Sequence, residues 1–221
     1  MKICSIDIET TGDNPNLHDI LSIGFIIADL KKSKIVIDKF FNHVFFKENL
    51  NIKNSVYSMH KDFLNWYFEN FKKDVGYTYY TEIYYWLDYN LVPFPKDEQI
   101  LLIGKNYNKF DKMFILEHLK KNEYHELDEM SNVVNIINQT AYDIGIACMD
   151  LNNDTTIPKT EECLKRLNIK YNPEIRHNSL YDSWLMLQAF SKVNNFEIIN
   201  PILDESIFGD YEVKYDNLHR L

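Results

Sequence analysis

The stretch DIETTG, Asp7 to Gly12, follows directly on the apolar start MKICSI and puts two carboxylates one residue apart at the end of a strand-like segment. Side chains alternate across a strand, so Asp7 and Glu9 project from one face while Cys4, Ile6 and Ile8 project from the other. The two acids are therefore held side by side. An ionised carboxylate taken out of water is costly unless it is paired or bound to a cation, so whatever fold buries this strand must also bring a partner to its acidic end.

The hydrophobic pattern along the rest of the chain predicts further strands over Ser22–Leu30, Lys34–Phe46 and Gln99–Gly104, with a short fifth one over Thr140–Ile146. The link ADLKKSK between the second and third predicts a hairpin, hence antiparallel pairing. Helical spacing covers Met59–Phe71, Thr78–Leu91, Lys109–Lys121, Thr160–Leu167 and Ser179–Val193. Three strands followed by alternating helices and strands imply an α/β layer built on a mixed sheet. The length of 221 residues suits one well-cored domain, taken as 1–193, with residues 194–221 as a tail packed on it. The aromatic run YTYYTEIYYWLDY, Tyr77 to Tyr89, reads as an amphipathic helix that buries its rings in preference to a base-stacking surface.

Two more acids sit where a helix should be apolar. Asp111 shares a stripe with Phe114, Ile115 and His118, and Asp182 shares one with Leu185, Met186, Ala189 and Val193. Taken singly, Asp7 could end a strand, Asp111 could cap a helix and Asp182 could pair with Arg176. Taken together, four inward acids suit hard divalent cations, which prefer carboxylate oxygens and in pairs serve phosphoryl displacement. His177, five residues before Asp182, stands just before its helix with Asn178 or Ser179 as cap, and an imidazole there can act as a general base.

Three segments, in order, resemble the DEDDh family of 3′-to-5′ exonucleases, the group that includes DNA polymerase proofreading subunits, RNase T, oligoribonuclease and phage exonucleases. DIETTG resembles the first family motif and carries Asp7 and Glu9. GKNYNKFD resembles the second, with Asn106, Phe110 and Asp111 in the matching places and Lys105 where the family commonly has histidine. RHNSLYD resembles the third, and the four residues between His177 and Asp182 match the histidine subclass; the tyrosine subclass would have Tyr where Asn178 stands. YSMHKDFL is similar to a further family segment that brings His60 near the substrate, and AYDIGIA is similar to the fifth strand. The likeness covers residues 3 to 192.

The resemblance implies an RNase H-like fold with a five-stranded mixed β-sheet flanked by α-helices. It implies that Asp7, Glu9, Asp111 and Asp182 hold two Mg²⁺ or Mn²⁺ ions and that His177 is the general base. Thr10, Thr11 and Gly12 would lie against the terminal sugar, with Asn106 and Phe110 nearby; Lys105 departs from the family pattern, and a lysine there could instead meet a phosphate. The expected activity is release of nucleoside monophosphates from single-stranded 3′ ends, of DNA or, as in RNase T or oligoribonuclease, of RNA, with a polymerase or repair protein as a candidate partner. The competing expectation is a module that keeps the fold and binds nucleic-acid ends or a protein without turnover.

Composition bounds these readings. A net charge of −9 argues against a broad DNA-coating surface, although Lys105, Lys109, Lys112, Lys165, Arg166 and Arg176 are available to line a local groove. The three scattered cysteines, Cys4, Cys148 and Cys163, fit reduced thiols. No apolar run is long enough to span a bilayer and the acidic first residues do not resemble a secretory signal, so the expected location is cytoplasmic, with no membrane partner.

Overall fold

The computed structural model describes residues 1–71, 100–121, 133–200, 202–210 and 213–215. The expected helix Thr78–Leu91, with its aromatic run, lies outside the described residues, as do residues 216–221 of the tail. The strands are β1 (Lys2–Thr10), β2 (Ile20–Lys31), β3 (Lys34–Val44), β4 (Ile100–Gly104), β5 (Tyr142–Asp143), β6 (Glu197–Ile199) and β7 (Val213–Tyr215). The helices are α1 (Asn54–Met59), α2 (Lys61–Asn70), α3 (Asp111–Lys121), α4 (133–137), α5 (Ile144–Ala147), α6 (Thr160–Arg166) and α7 (Ser179–Asn194).

The sheet is mixed and runs β5-β4-β1-β2-β3-β6, with β7 also on β3. Strands β1, β2 and β3 are antiparallel neighbours, and the β2–β3 turn closes through Lys32 at φ 57°. Strand β4 pairs with β1 in parallel from Lys2↔Ile100 to Ser5↔Ile103, and β5 pairs with β4 in parallel. The α/β, RNase H-like architecture is the one expected, but the sheet has seven strands where five were expected. Both extra strands come from the tail: Glu197–Ile199 pairs with Lys34–Val36, and Val213–Tyr215 with Phe40–Asn42. Each has three residues, too few for an alternation to register. Between them Leu203 and Phe208 are buried beneath α7 in its apolar cluster.

Two apolar layers flank the sheet. Ile6 and Ile8 of β1 pack with Phe25, Phe114 and Ile115 on the α3 side, whereas Ile3, Ile26 and Ile35 pack with Leu180, Leu185 and Ala189 on the α7 side. Helix α7 rides close to the sheet because its contact residues are small. A Cβ at Gly24 would come within 2.3 Å of the Ser179 backbone. The Ser183 hydroxyl donates to the Gly24 carbonyl at 2.9 Å, Ser5 donates to the Ser183 carbonyl at 2.8 Å, and Ser179 bonds Ser22 at 3.0 Å and Asn42 at 2.8 Å. These buried hydroxyls satisfy one another across the interface, so the close approach leaves no stranded polar group there.

Two local departures bear on the site. The helix expected over Met59–Phe71 is α2, Lys61–Asn70, and it is preceded by a short helix, α1, that was not expected; the two meet at His60, whose φ of −109° and ψ of 28° turn the chain there. The expected strand over Thr140–Ile146 shrinks to Tyr142–Asp143, because Asp143 caps α5 by accepting from the Gly145 and Ile146 amides.

Gly24→Ala is expected to destabilise the protein by about 1–3 kcal/mol through overpacking against helix backbone. Gly209→Ala, where a Cβ meets nothing within 4 Å, serves as the neutral control. Urea unfolding of the two variants checks this; equal midpoints would contradict the close-approach account.

Candidate active site

Strand β1 delivers Asp7 and Glu9 on the face that α7 covers, and the serine-lined seat of α7 brings Asp182 down onto them. Glu9 and Asp182 are buried, while Asp7 keeps part of its surface open. Ligand oxygens of Asp7, Glu9 and Asp182 lie within 4.8 Å of one another. A second group with the same mutual reach joins Glu9 to His60 and His177. Among the described residues Asp111 belongs to neither group. It opens α3, buried, where the β1–β4 ladder has already ended, and its Oδ1 accepts the Ile8 amide at 3.2 Å. Its charge still reaches Asp7 and Glu9. The four acids thus converge, three of them within one ligand sphere and the fourth tied to the strand beside it.

This concentration of charge disfavours ionisation. Burial, then the charges of Asp182, Glu9 and Asp111, holds Asp7 well above the usual carboxylate range. Glu9 is raised in the same way by burial and Asp182. Burial pushes Asp111 up to about 7 against the amide bonds it accepts, and Asp182 to about 6 against the pull of Arg176. Uncompensated negative charge of this kind is what a hard divalent cation relieves. The oxygen-only set Asp7, Glu9 and Asp182 fits Mg²⁺ or Mn²⁺, with Asp111 adjacent.

Sequence reasoning left the Arg176–Asp182 pairing as one alternative and put His60 near the substrate; the structure brings both residues to the acids. Arg176 Nη1 donates to Asp182 Oδ1 at 2.5 Å, and Nη2 lies 3.3 Å from Glu161 Oε1. The residue had been weighed as a partner for Asp182, but the sequence contains no pattern that decides between that pairing and a surface position. His60 Nε2 lies 3.3 Å from Glu9 Oε2, and its ring stands edge-on to His177 with centroids 5.2 Å apart. Burial, reinforced by His177, lowers His60 to about 4, so it is neutral near pH 7. His60 Nδ1 is buried with no hydrogen-bond partner among the described residues.

His177 is half-buried at φ 66°, and burial followed by the charge of Arg176 lowers its basicity. Asn178 next to it caps α7, its Oδ1 accepting from the Leu180 and Tyr181 amides. A cavity of about 320 Å³ opens here, lined by His60, Phe63, Arg176, His177, Asn178 and Phe208.

The remaining predicted residues hold loops. The Thr10 hydroxyl donates to the Gly12 carbonyl at 2.6 Å, and Thr11, fully buried, accepts the Asp19 amide at 2.9 Å. Gly12 is pressed against the His18 ring, which a Cβ would meet at 2.5 Å. Asn106 takes a left-handed conformation at φ 60°, its amide donating to Asp143 Oδ2 at 3.1 Å, and Phe110 packs on Phe114 with centroids 5.0 Å apart. Lys105 is half-buried and its charge is felt at Asp111. The six basic candidates do not act as one set: Arg166 is bound to Asp154 and Glu162, Arg176 to Asp182, and Lys112 to the Asn138 carbonyl.

No family model matches the chain, and no curated protein sequence does. Solved structures do. The zinc-bound complex of E. coli exonuclease I with single-stranded DNA superposes with a TM-score of 0.62 at 14% identity, covering 88% of this chain and 40% of that one. The same enzyme with a dT13 oligonucleotide gives 0.57 at 14% identity, covering 88% and 41%. A full-length 3′-exonuclease gives 0.55 at 16% identity, covering 88% of this chain and 81% of its own. The chain spans about two fifths of the exonuclease I length, and at these identities the likeness establishes the fold. No helix among the described residues is long and apolar enough to cross a membrane.

Metal-free stability has a predicted pH signature. With Asp111 at about 7 against an ordinary 3.8, the folded state binds more protons than the unfolded state between about pH 4 and 7. The unfolding free energy therefore falls as pH rises through that window. His60, lowered to about 4, acts in the opposite sense below pH 6.5, so the informative quantity is the difference from Asp111→Asn. In chelator that variant should gain on the wild type from pH 4 to 7 by a few kcal/mol, at roughly 1.4 kcal/mol per unit, and hold the gain above. Parallel pH profiles of the two proteins in denaturant titrations would refute it.

Proposed function

We propose that this protein is a divalent-metal-dependent 3′-to-5′ exonuclease acting on single-stranded DNA and releasing nucleoside monophosphates. The observation that carries the reading is the convergence of Asp7, Glu9 and Asp182 within 4.8 Å, beside His177, on the fold of exonuclease I. Asp7, Glu9 and Asp182 hold the cations, with Asp111 completing the negative field. When bound, two Mg²⁺ or Mn²⁺ ions supply Lewis acidity toward the attacking and leaving oxygens of a phosphodiester.

The chain's own groups do the rest. His177, neutral at pH 7 because burial and Arg176 disfavour its charged form, accepts the proton of the attacking water as the phosphorus–O3′ bond breaks. His60 holds Glu9 through its Nε2 and walls the cavity beside His177, keeping bulk water from that side. The terminal nucleotide occupies the opening next to the Thr10–Gly12 loop, which its internal hydroxyl and amide bonds keep rigid. In this reading Asn106 and Phe110 also contact the terminal nucleotide, and Lys105, whose charge is felt at Asp111, meets a phosphate. A binding module without turnover has no use for four mutually repelling acids, which cost stability on their own.

Incubation with 5′-labelled single-stranded DNA and RNA, with Mg²⁺, Mn²⁺ or chelator, tests the proposal. A ladder that shortens from the 3′ end of DNA and vanishes in chelator is expected, whereas a mobility shift without products would favour the binding module. Preferential digestion of RNA would overturn the substrate sugar. Asp7→Asn should fold normally and lose nearly all cleavage. His177→Ala should lower kcat by about 10²–10⁴-fold.

A further inference from the structure

We infer that Arg176 is a resident counter-cation of the acid cluster, which competes with a divalent metal ion for Asp182 and must yield to Glu161 before that carboxylate can bind metal. The inference rests on the proposed metal site and adds a control step to it. Among the described residues, the contact of Arg176 with Asp182 is the ion pair that ties a lysine or arginine to any of the four acids. Both partners are withdrawn from water, their side chains 9% and 8% exposed. The charge of Arg176 is also felt at Asp7 and Glu9, so the guanidinium compensates the cluster as a whole.

Three features mark this pairing as an occupant of the site in place of a fixed strut. Asp182, whose Oδ1 is held at 2.5 Å by Nη1, belongs to the three-acid ligand group, and Mg²⁺ requires a carboxylate oxygen free to approach to about 2.0–2.1 Å. Both cannot use it in the same direction. Second, the Nε of Arg176 is buried with no partner among the described residues, so the guanidinium leaves a donor unsatisfied in this pose. Third, an alternative seat is already in place: Nη2 lies 3.3 Å from Glu161, whose side chain is half exposed, and the Tyr171 ring centroid is 6.0 Å from the guanidinium carbon. A short swing keeps the arginine paired and frees Asp182.

Mn²⁺ binding to the full chain, measured by calorimetry, tests the exchange. Arg176→Gln should bind Mn²⁺ about tenfold more tightly than wild type, and Glu161→Gln more weakly, because the displaced guanidinium loses its second anchor. A purely structural role would shift both variants the same way. Equal or weaker binding by Arg176→Gln, with wild type still binding, overturns the inference and leaves the metal site standing. Absence of binding in wild type and Arg176→Gln alike would sink the metal site itself, for which Asp7→Asn is the negative control. If Arg176→Gln does not fold, Glu161→Gln decides, and unchanged or tighter binding by it overturns the proposal.

Discussion

Mutual repulsion among buried carboxylates is the constraint to which the rest of this structure answers. Asp7, Glu9, Asp111 and Asp182 come from a strand and two helices far apart in the chain, and three of them have a close partner outside the cluster. Asp111 is tied to the Ile8 amide, Asp182 to Arg176, and Glu9 to His60. Apolar packing on both faces of the sheet supplies the stability that permits this concentration. The acids sit at the ends of β1 and its helices, beyond the point where the β1–β4 ladder stops at Ser5↔Ile103. A sheet whose parallel strands part there offers a crevice at their carboxyl ends, the usual place for a site in an α/β fold.

The small residues under α7 translate that constraint into geometry. Were Gly24 larger, the helix axis would move outward and carry Asp182 away from Asp7 and Glu9. The hydroxyl ladder of Ser5, Ser183, Ser22 and Ser179 lets polar groups occupy the gap without a desolvation penalty. Stability and site therefore share one interface, with the same helix burying Leu180 and Leu185 and presenting Asp182.

Much of this was legible from the residues. The same-face placement of Asp7 and Glu9 follows from strand periodicity alone, and Asp111 and Asp182 announced themselves as acids on apolar stripes. The sequence narrows the α7 cap to Asn178 or Ser179, and the structure selects Asn178. Three things were not legible. The strands β6 and β7 are too short to show a period, and their pairing with β3 depends on where the tail happens to run. Helix α1, ahead of the expected helix, has six residues, less than two turns, too short to show a helical period. The ion pair of Arg176 crosses a turn whose shape no spacing rule specifies.

That turn shows why three consecutive residues can do three unlike things. Arg176 closes the Pro173–Ile175 turn in extended conformation, His177 adopts a left-handed conformation at φ 66°, and Asn178 returns to extended geometry to cap α7. A non-glycine residue at positive φ carries a cost of order 1–3 kcal/mol and persists only where its surroundings over-determine it. Here they do: Asn178 is pinned by the Leu180 and Tyr181 amides on one side, and on the other Arg176 is anchored by Glu161, a contact it keeps when Asp182 is released. The reversal at His177 lets a guanidinium and an imidazole from adjacent positions both reach the acid cluster, which an extended tripeptide would send to opposite sides. The Arg176 charge, the His177 imidazole and the Asn178 helix cap are thereby coupled through one backbone turn, and a change in any of the three residues must be felt by the other two.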